Sequence, residues 1–378
     1  MVRNETVKHL HKAKKNKNDE FYTQLSYIEK ELKNYKKSFK DKVVLCNCDD
    51  PRVSNFFHYF SYNFEKLGLK QLIAVCYKNQ SRDLFSKHDS EKAIYLEYEG
   101  DKNQNNIPDP EEIGIKQLKG DGDFRSEESI ELLKRCDIVV TNPPFSLFRE
   151  YVAQLIEYKK QFLIIGNLNA MKYGEIYPYF QSNTIWFGAT MFNGGAAFFV
   201  GSPDLYDPKK MSNPKHAYIK DGKLFWRVNG VRWFTNLDHN KRHEELVLYA
   251  TYNPGDYPKY DNYDAIEVSK VVSIPMDYKG VMGVPISFMD KYNPDQFEII
   301  GLSMKSGFGL QSNKFYDAYK ETKQDGTFTG SSGKKTNGNP MIVGKPKKGN
   351  YYIDELGKCA YSLYDRLFIL NKDLQGKS

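Results

Sequence analysis

In the run Asp137-Ile-Val-Val-Thr-Asn-Pro-Pro-Phe145, an apolar, strand-forming stretch gives way to Asn142, two prolines and an aromatic ring. Consecutive prolines lack N–H groups and fix their own backbone angles, so Pro143 and Pro144 make a stiff turn that offers carbonyl acceptors. An exocyclic amino group held between the Asn142 side-chain oxygen and the Pro143 carbonyl would donate both of its hydrogens. Its nitrogen lone pair would then face an electrophilic methyl group, with Phe145 stacked on the ring that carries it. The plain alternative is a strand that ends in a Pro-Pro turn. The buried strand before the loop and the aromatic after it favour chemistry.

Other clusters carry weaker signals. Cys46-x-Cys48 has no second cysteine pair nearby to complete a tetrahedral site, and residues two apart on a strand share a face, so packing is the better reading. His239-x-x-x-His243 has helical ligand spacing but no adjacent acid, and Asn240-Lys241-Arg242 between the two suggests a polar surface or a nucleic-acid contact. No metal site is expected. Asn169 and Tyr173, beyond another apolar run, are candidates for lining a base pocket, with a plain turn as the alternative.

The elements that must position these residues follow from apolar periodicity. Val43 to Cys46, Leu72 to Tyr77, Asp137 to Val140 and Phe162 to Gly166 read as buried strands, and Asn55 to Lys66 and Leu147 to Tyr158 as helices. Strand and helix in turn imply an α/β fold with a parallel sheet and helices on both faces, whose ligands lie beyond the carboxyl ends of the strands. Near residue 190 the texture changes to Pro- and Gly-rich sequence with short strands, Ile266 to Ile274 and Gln296 to Gly301 among them. A second, mixed domain is expected from about 237, with a mobile Gly/Ser/Lys/Asn-rich loop at about 303–350 and ordered chain again from Ala360 to Leu370.

The 378 residues carry a net charge of +7, concentrated at the ends. Residues 1–18 hold six basic side chains (Arg3, Lys8, Lys12, Lys14, Lys15 and Lys17) against Glu5, and residues 301–378 hold thirteen basic against seven acidic. Such an excess suits a polyanion, because each cation that neutralises a phosphate releases counterions. Solvated, solubilising tails are the alternative. No apolar run approaches the roughly 20 residues that span a bilayer, and five cysteines with no signal-peptide pattern point to a reducing, cytoplasmic setting.

The Asn142–Phe145 loop resembles that of the amino-methyltransferases that methylate adenine N6 with S-adenosylmethionine. Asp19-Glu-Phe-Tyr-Thr-Gln24 is similar to their cofactor motif at the methionine end, and Asp121-Gly-Asp-Phe124 resembles the Asp-Phe pair that contacts the cofactor's adenine. Longer segments (Cys46 to Phe57, Gly120 to Ser126, Thr141 to Tyr151, Tyr257 to Ile266 and Tyr278 to Pro285), together with the N-terminal arm, resemble the EcoRI-type adenine methylases over residues 1 to about 300. The resemblance implies a basic arm at 1–18, a Rossmann-like catalytic domain at 19–236 and a C-terminal target-recognition region at 237–378. It implies methylation of adenine N6 in double-stranded DNA by base flipping, at a short palindrome for which GAATTC is the first to try. It further implies a bacterial or phage-encoded monomer, either solitary or serving beside a separate restriction endonuclease.

The catalytic residues carry over at Asn142, Pro143, Pro144 and Phe145, and the cofactor residues at Asp123, Phe124, Tyr22 and Thr23. Two departures stand out. The Gly-rich turn that most amino-methyltransferases place after the first strand is here Asn47-Cys48-Asp49-Asp50-Pro51, and the second strand is followed by Lys78 in place of the usual acid, departures that the resemblance to EcoRI-type members implies are shared. Asn47, Asp49 and Asp50 are then the cofactor candidates in that turn, with either Asp able to supply the missing carboxylate. An RNA adenine methylase, a protein-glutamine methylase and a DNA-binding protein that has lost catalysis are the competing readings.

Overall fold

The computed structural model describes residues 22–48, 54–75, 93–105, 108–109, 112–192, 194–201, 216–304 and 309–376. The basic arm at 1–18, residues 19–21, Asp49, Asp50 and Lys78 lie outside them. The chain divides into two compact units, one built from residues up to Ile176 with Ile185–His239, the other from Tyr177–Thr184 with Asn240 onward.

The first unit is mixed α/β. In chain order its elements are α1 (Leu25–Leu32), β1 (Val43–Asn47), α2 (Asn55–Tyr62), α3 (Phe64–Leu67), β2 (Gln71–Val75), β3 (Ile94–Tyr98), β4 (Gly114–Gln117), α4 (Glu127–Arg135), β5 (Ile138–Thr141), α5 (Phe148–Glu157) and β6 (Gln161–Asn167). There follow β7 (Trp186–Met191), β8 (Ala196–Gly201), β9 (Ala217–Lys220), β10 (Lys223–Val228) and β11 (Val231–Thr235). Eight strands form one sheet in the order β4-β3-β2-β1-β5-β6-β11-β7.

Only part of that sheet is parallel, contrary to the expectation of a wholly parallel one. β2, β1, β5 and β6 run parallel, whereas β3 pairs antiparallel with β2, β4 with β3, and β11 with both β6 and β7. The alternation of strand and helix that implied parallel pairing holds only through the centre. Outside it, β3 passes to β4 with no helix between them among the described residues, a connection that suits an antiparallel pair. Every residue of β1 and β5 is buried, as required of central strands covered on both faces.

The expected helix at 55–66 breaks at Asn63, whose side chain donates to the Tyr59 carbonyl at 2.8 Å, the first sign of a helix end. α4 is capped at both ends. Ser126 accepts from the Ser129 N–H, Glu127 and Glu128 occupy the first turn, and Lys134 and Arg135 the last, all of which complement the helix dipole.

The second unit contains α6 (Tyr177–Gln181) and two small sheets. β12 (Ile266–Glu267), β13 (Met282–Pro285) and β14 (Phe297–Leu302) join β20 (Arg366–Asn371) in the order β12-β13-β20-β14. β15 (Lys320–Thr322), β16 (Phe328–Ser332), β17 (Met341–Val343), β18 (Tyr351–Ile353) and β19 (Cys359–Ser362) form the other, in the order β16-β15-β18-β19-β17.

The stretch at 303–350 therefore carries three strands where a loop was expected. Its small residues serve close packing: a Cβ on Gly333 would meet the Tyr316 carbonyl oxygen at 2.3 Å. Tyr316, Thr322, Thr336 and Met341 are buried there. No helix among the described residues is long and apolar enough to cross a membrane.

Candidate active site

The strand order reverses between β1 and β5, since the chain goes from β1 to β2 on one side and from β5 to β6 on the other. Their carboxyl ends bound the crevice in which open α/β sheets bind ligands. Asn47 ends β1, and Asn142 follows β5 directly.

The two strands are stitched at both ends. The Asp137 carboxylate accepts from the Val43 N–H at 2.8 Å where they begin, and the Thr141 hydroxyl donates to the Asn47 carbonyl where they finish. The Asn47 side-chain oxygen accepts from the Tyr151 hydroxyl, with the Cys48 thiol 3.6 Å away. Asn47 thus fastens β1 to β5 and to α5. The Asn47 side-chain oxygen is thus engaged within the protein.

Cys48, expected on a strand face shared with Cys46, instead lies past the strand with φ of 79°. A non-glycine residue rarely adopts that left-handed geometry.

Asn142 and Pro143 are buried, and Pro144 and Phe145 half-buried. The Pro144 carbonyl accepts from the Leu147 N–H at 3.0 Å, which folds Phe145–Leu147 into a short 3-10 turn leading into α5. Of the acceptors expected to lack local donors, Pro144 is thus satisfied. Among the described residues, no hydrogen bond reaches the Pro143 carbonyl. Phe148, at the start of α5, presses on β6 so closely that a Cβ on Gly166 would lie 2.5 Å from its ring.

The segment at Tyr22–Gln24 comes to the same neighbourhood. Tyr22 and Phe199 of β8 exchange two backbone hydrogen bonds of 3.1 Å, and the Thr23 carbonyl accepts from Asn55 Nδ2 at 2.7 Å, at the first turn of the helix after β1. Phe198, beside Phe199, meets Phe145 edge-on with ring centroids 6.5 Å apart. Thr23 is buried, and its hydroxyl has no hydrogen-bond partner among the described residues. A buried hydroxyl without a partner is costly unless a ligand satisfies it.

Asp123 and Phe124 precede α4. The Phe124 ring is buried against Tyr151, with centroids 5.0 Å apart, and its carbonyl accepts from Gln154 Nε2 at 2.9 Å. Asp123 accepts from Arg125 Nε at 2.9 Å and Nη2 at 2.7 Å, as well as from the Arg125 N–H at 2.8 Å. The Arg125 guanidinium holds this carboxyl below its ordinary value, against a smaller opposing effect of burial. Asp123 therefore stays ionised, and Oδ2, with one donor, retains acceptor capacity.

Tyr151 was not singled out in the sequence, yet it joins Phe124 to Asn47. The signals for it were its place on the apolar face of α5 with Phe148, Val152 and Leu155, and at the end of the segment Thr141 to Tyr151.

Other candidates fall elsewhere. Asn169 is exposed in the turn after β6, and Tyr173 is half-buried beneath the Arg149 guanidinium. His239 is buried, not on a surface: its Nε2 lies 3.0 Å from the Phe187 carbonyl and its ring edge-on to Tyr35. Arg242 is buried as well, bonded to Asn183. No group of three or more His, Cys, Asp or Glu among the described residues is placed to hold a metal ion.

A stiff Asn-Pro-Pro-Phe acceptor loop at the switch point of an α/β sheet is the arrangement of an amino-methyltransferase. Residues 9–353 match the family model described as adenine-specific methyltransferase EcoRI, and the chain belongs to that family. It is 51% identical over 302 residues to the Type II methyltransferase M.EcoRI of Escherichia coli, covering 79% of this chain and 90% of that one. It is 44% identical over 295 residues to the Type II methyltransferase M.MpnI of Mycoplasma pneumoniae, and 43% identical over 295 residues to M.MgeORF184P of Mycoplasma genitalium. Each of these alignments covers 77% of this chain and 85% of the relative. No solved structure is significantly similar.

Proposed function

We propose that this enzyme methylates adenine N6 at a specific site in double-stranded DNA, as the modification methylase of a restriction-modification system or a solitary counterpart. The observation that carries the reading is the Asn142–Phe145 loop at the carboxyl end of β5, directly across the switch point from the end of β1.

S-adenosylmethionine, implied by membership of a methyltransferase family, supplies an electrophilic methyl group when bound. The residues present suit it. The buried Thr23 hydroxyl offers an unmet hydrogen bond, the ionised Asp123 an acceptor for an adenine amino group, and Phe124 an apolar wall. In this reading the first unit's central strands are a Rossmann-like core, and Asn47 acts as a positioning residue. Asp49 and Asp50 remain candidates for the ribose hydroxyls, outside the described residues.

The target amino group lies inside a duplex and must be extruded, at a cost of a few kcal/mol for unstacking. Asn142 and the Pro143 carbonyl would then accept its two hydrogens. That orients the nitrogen lone pair outward and stabilises the positive charge that develops there during transfer. Buried, preorganised acceptors are most effective in this role because they need no rearrangement as charge builds. Phe145, held against Phe198, would stack on the base. The second unit is assigned target recognition, and the basic arm phosphate contacts.

Labelled S-adenosylmethionine offered with duplex DNA, RNA and protein in parallel tests the proposal. Label is expected in the duplex, and label confined to RNA or protein would overturn it.

A further inference from the structure

One face of the small sheet β8-β10-β9 runs outward from Tyr22, at the margin of the site described above. Tyr22, Phe199, Phe225 and Tyr218 lie across it as a continuous row, each half-buried. Successive centroids are 6.0, 6.2 and 5.5 Å apart, with the last pair stacked at 15°.

The register accounts for the row. Phe225 is opposite Phe199 on one side and Tyr218 on the other, and Tyr22 is bridged to Phe199. Residues two apart on a strand share a face, which adds Lys220 beside Tyr218, and Lys223 and Arg227 flanking Phe225. All three cations are exposed. Lys223 Nζ lies over the Phe199 ring at 5.8 Å, and the Arg227 guanidinium over the Tyr218 ring at 5.7 Å. The nearest acid of these strands, Asp221, sits in the exposed turn between β9 and β10.

An aromatic floor of this kind restrains long cationic side chains, so less conformational freedom is lost when they meet an anion. The face is also tied to the catalytic loop, because Phe198, the neighbour of Phe199, points the other way and touches Phe145.

We propose that this face is a clamp for the DNA phosphate backbone, with Lys220, Lys223 and Arg227 contacting successive phosphates beside the extruded adenine. The proposal rests on the methyltransferase reading above and deepens it. Phosphate contacts position a protein without reading sequence, so the clamp fixes where the duplex lies and leaves base selection to other parts.

The test compares wild type with a Lys220→Gln, Lys223→Gln, Arg227→Gln variant and with a charge-preserving Lys220→Arg, Lys223→Arg, Arg227→Lys variant. Duplex affinity is measured across a salt series, S-adenosylmethionine affinity by calorimetry, and folding by thermal unfolding. The glutamine variant should bind duplex more weakly and lower the slope of log affinity against log salt by about 2 to 3, at roughly 0.9 per phosphate. Its cofactor affinity and unfolding should be those of wild type, and the charge-preserving variant should keep the slope.

A glutamine variant with the wild-type slope overturns the clamp, as does a charge-preserving variant that loses the slope equally. Failure of the underlying reading is seen separately, as wild-type protein that labels no DNA.

Discussion

At the scale of the residue, the site rests on side chains whose polar atoms are already aimed. Asp123 is the clearest case. Because Arg125 holds its carboxyl below the ordinary 3.8, its contribution to stability is present above that value and lost as pH falls through the lowered one. Arg125→Ala should move the Asp123 titration upward, which an NMR titration reads directly. Asp123→Ala should weaken S-adenosylmethionine binding by about 1 to 3 kcal/mol, since it leaves an amino donor unpaired in a partly buried pocket. Calorimetry checks it, and unchanged affinity removes Asp123 from the cofactor site.

Tyr151→Phe keeps the ring against Phe124 but removes the hydroxyl from Asn47, leaving its buried oxygen with only the weak Cys48 thiol donor. A loss of about 1 to 3 kcal/mol is expected in denaturant unfolding. The candidate loop stood out in the sequence because Asn-Pro-Pro-Phe follows a buried strand, and the structure places it at the end of β5. Tyr151 did not, because a buried tyrosine on an apolar helix face looks like any core residue until its hydroxyl is seen to meet Asn47.

At the scale of the element, the loop is held by what surrounds it. Gly166 of β6 leaves room for the Phe148 ring, and that ring sets where α5 begins. Gly166→Ala should force the two apart, with a stability loss of about 1 to 3 kcal/mol for overpacking and a lower kcat from the displaced loop. Thermal unfolding and steady-state kinetics would measure the two effects.

α1 is anchored to β7 by Glu31, which accepts from the Ala189 N–H at 2.7 Å, the Thr190 N–H at 2.8 Å, the Tyr35 hydroxyl at 2.7 Å and the Thr190 hydroxyl. Burial raises its carboxyl above the ordinary 4.5, and those four bonds only partly oppose it. The folded-state pKa therefore exceeds the unfolded one. The contribution to stability is complete below 4.5 and is lost as pH climbs through the raised value. The unfolding free energy of wild type should carry that component, and a Glu31→Gln variant should lack it.

The strands at the centre of the sheet were readable from unbroken apolar runs. The flanking antiparallel strands were not, since an exposed strand such as β4 has no such run.

At the scale of the whole molecule, the chain folds into two compact units and carries its excess positive charge toward its ends. The segment Tyr257 to Ile266, one of those carrying the family resemblance, is a structural hub of the second unit. Tyr260 reaches Glu267, itself paired with Arg366; Asp261 pairs with Lys314, Asn262 bonds the Met341 N–H, and Tyr263 the Gly338 carbonyl. Those contacts give the segment a structural role in the second unit. The hub was invisible in the sequence because its partners lie up to 97 residues away, as Lys358 does from Asp261.

Deleting residues 1–17, with six cations, should lower affinity for all duplexes alike and flatten the salt dependence by several units, at about 0.9 per phosphate contacted. Binding of specific and random duplexes across a salt series decides it, and a loss confined to the specific duplex would show instead that the arm reads sequence.

The central claim is that the Asn142–Phe145 loop orients an extruded adenine for methylation at N6. Duplex DNA incubated with labelled S-adenosylmethionine and either wild type or Asn142→Ala, then digested to nucleosides, tests it most directly. Wild type should place the label on N6-methyldeoxyadenosine, and the variant should bind duplex normally while turning over on the order of 10²- to 10³-fold more slowly, the usual cost of one preorganised polar contact. Label on any other nucleoside, or an Asn142→Ala variant with wild-type turnover, would contradict it.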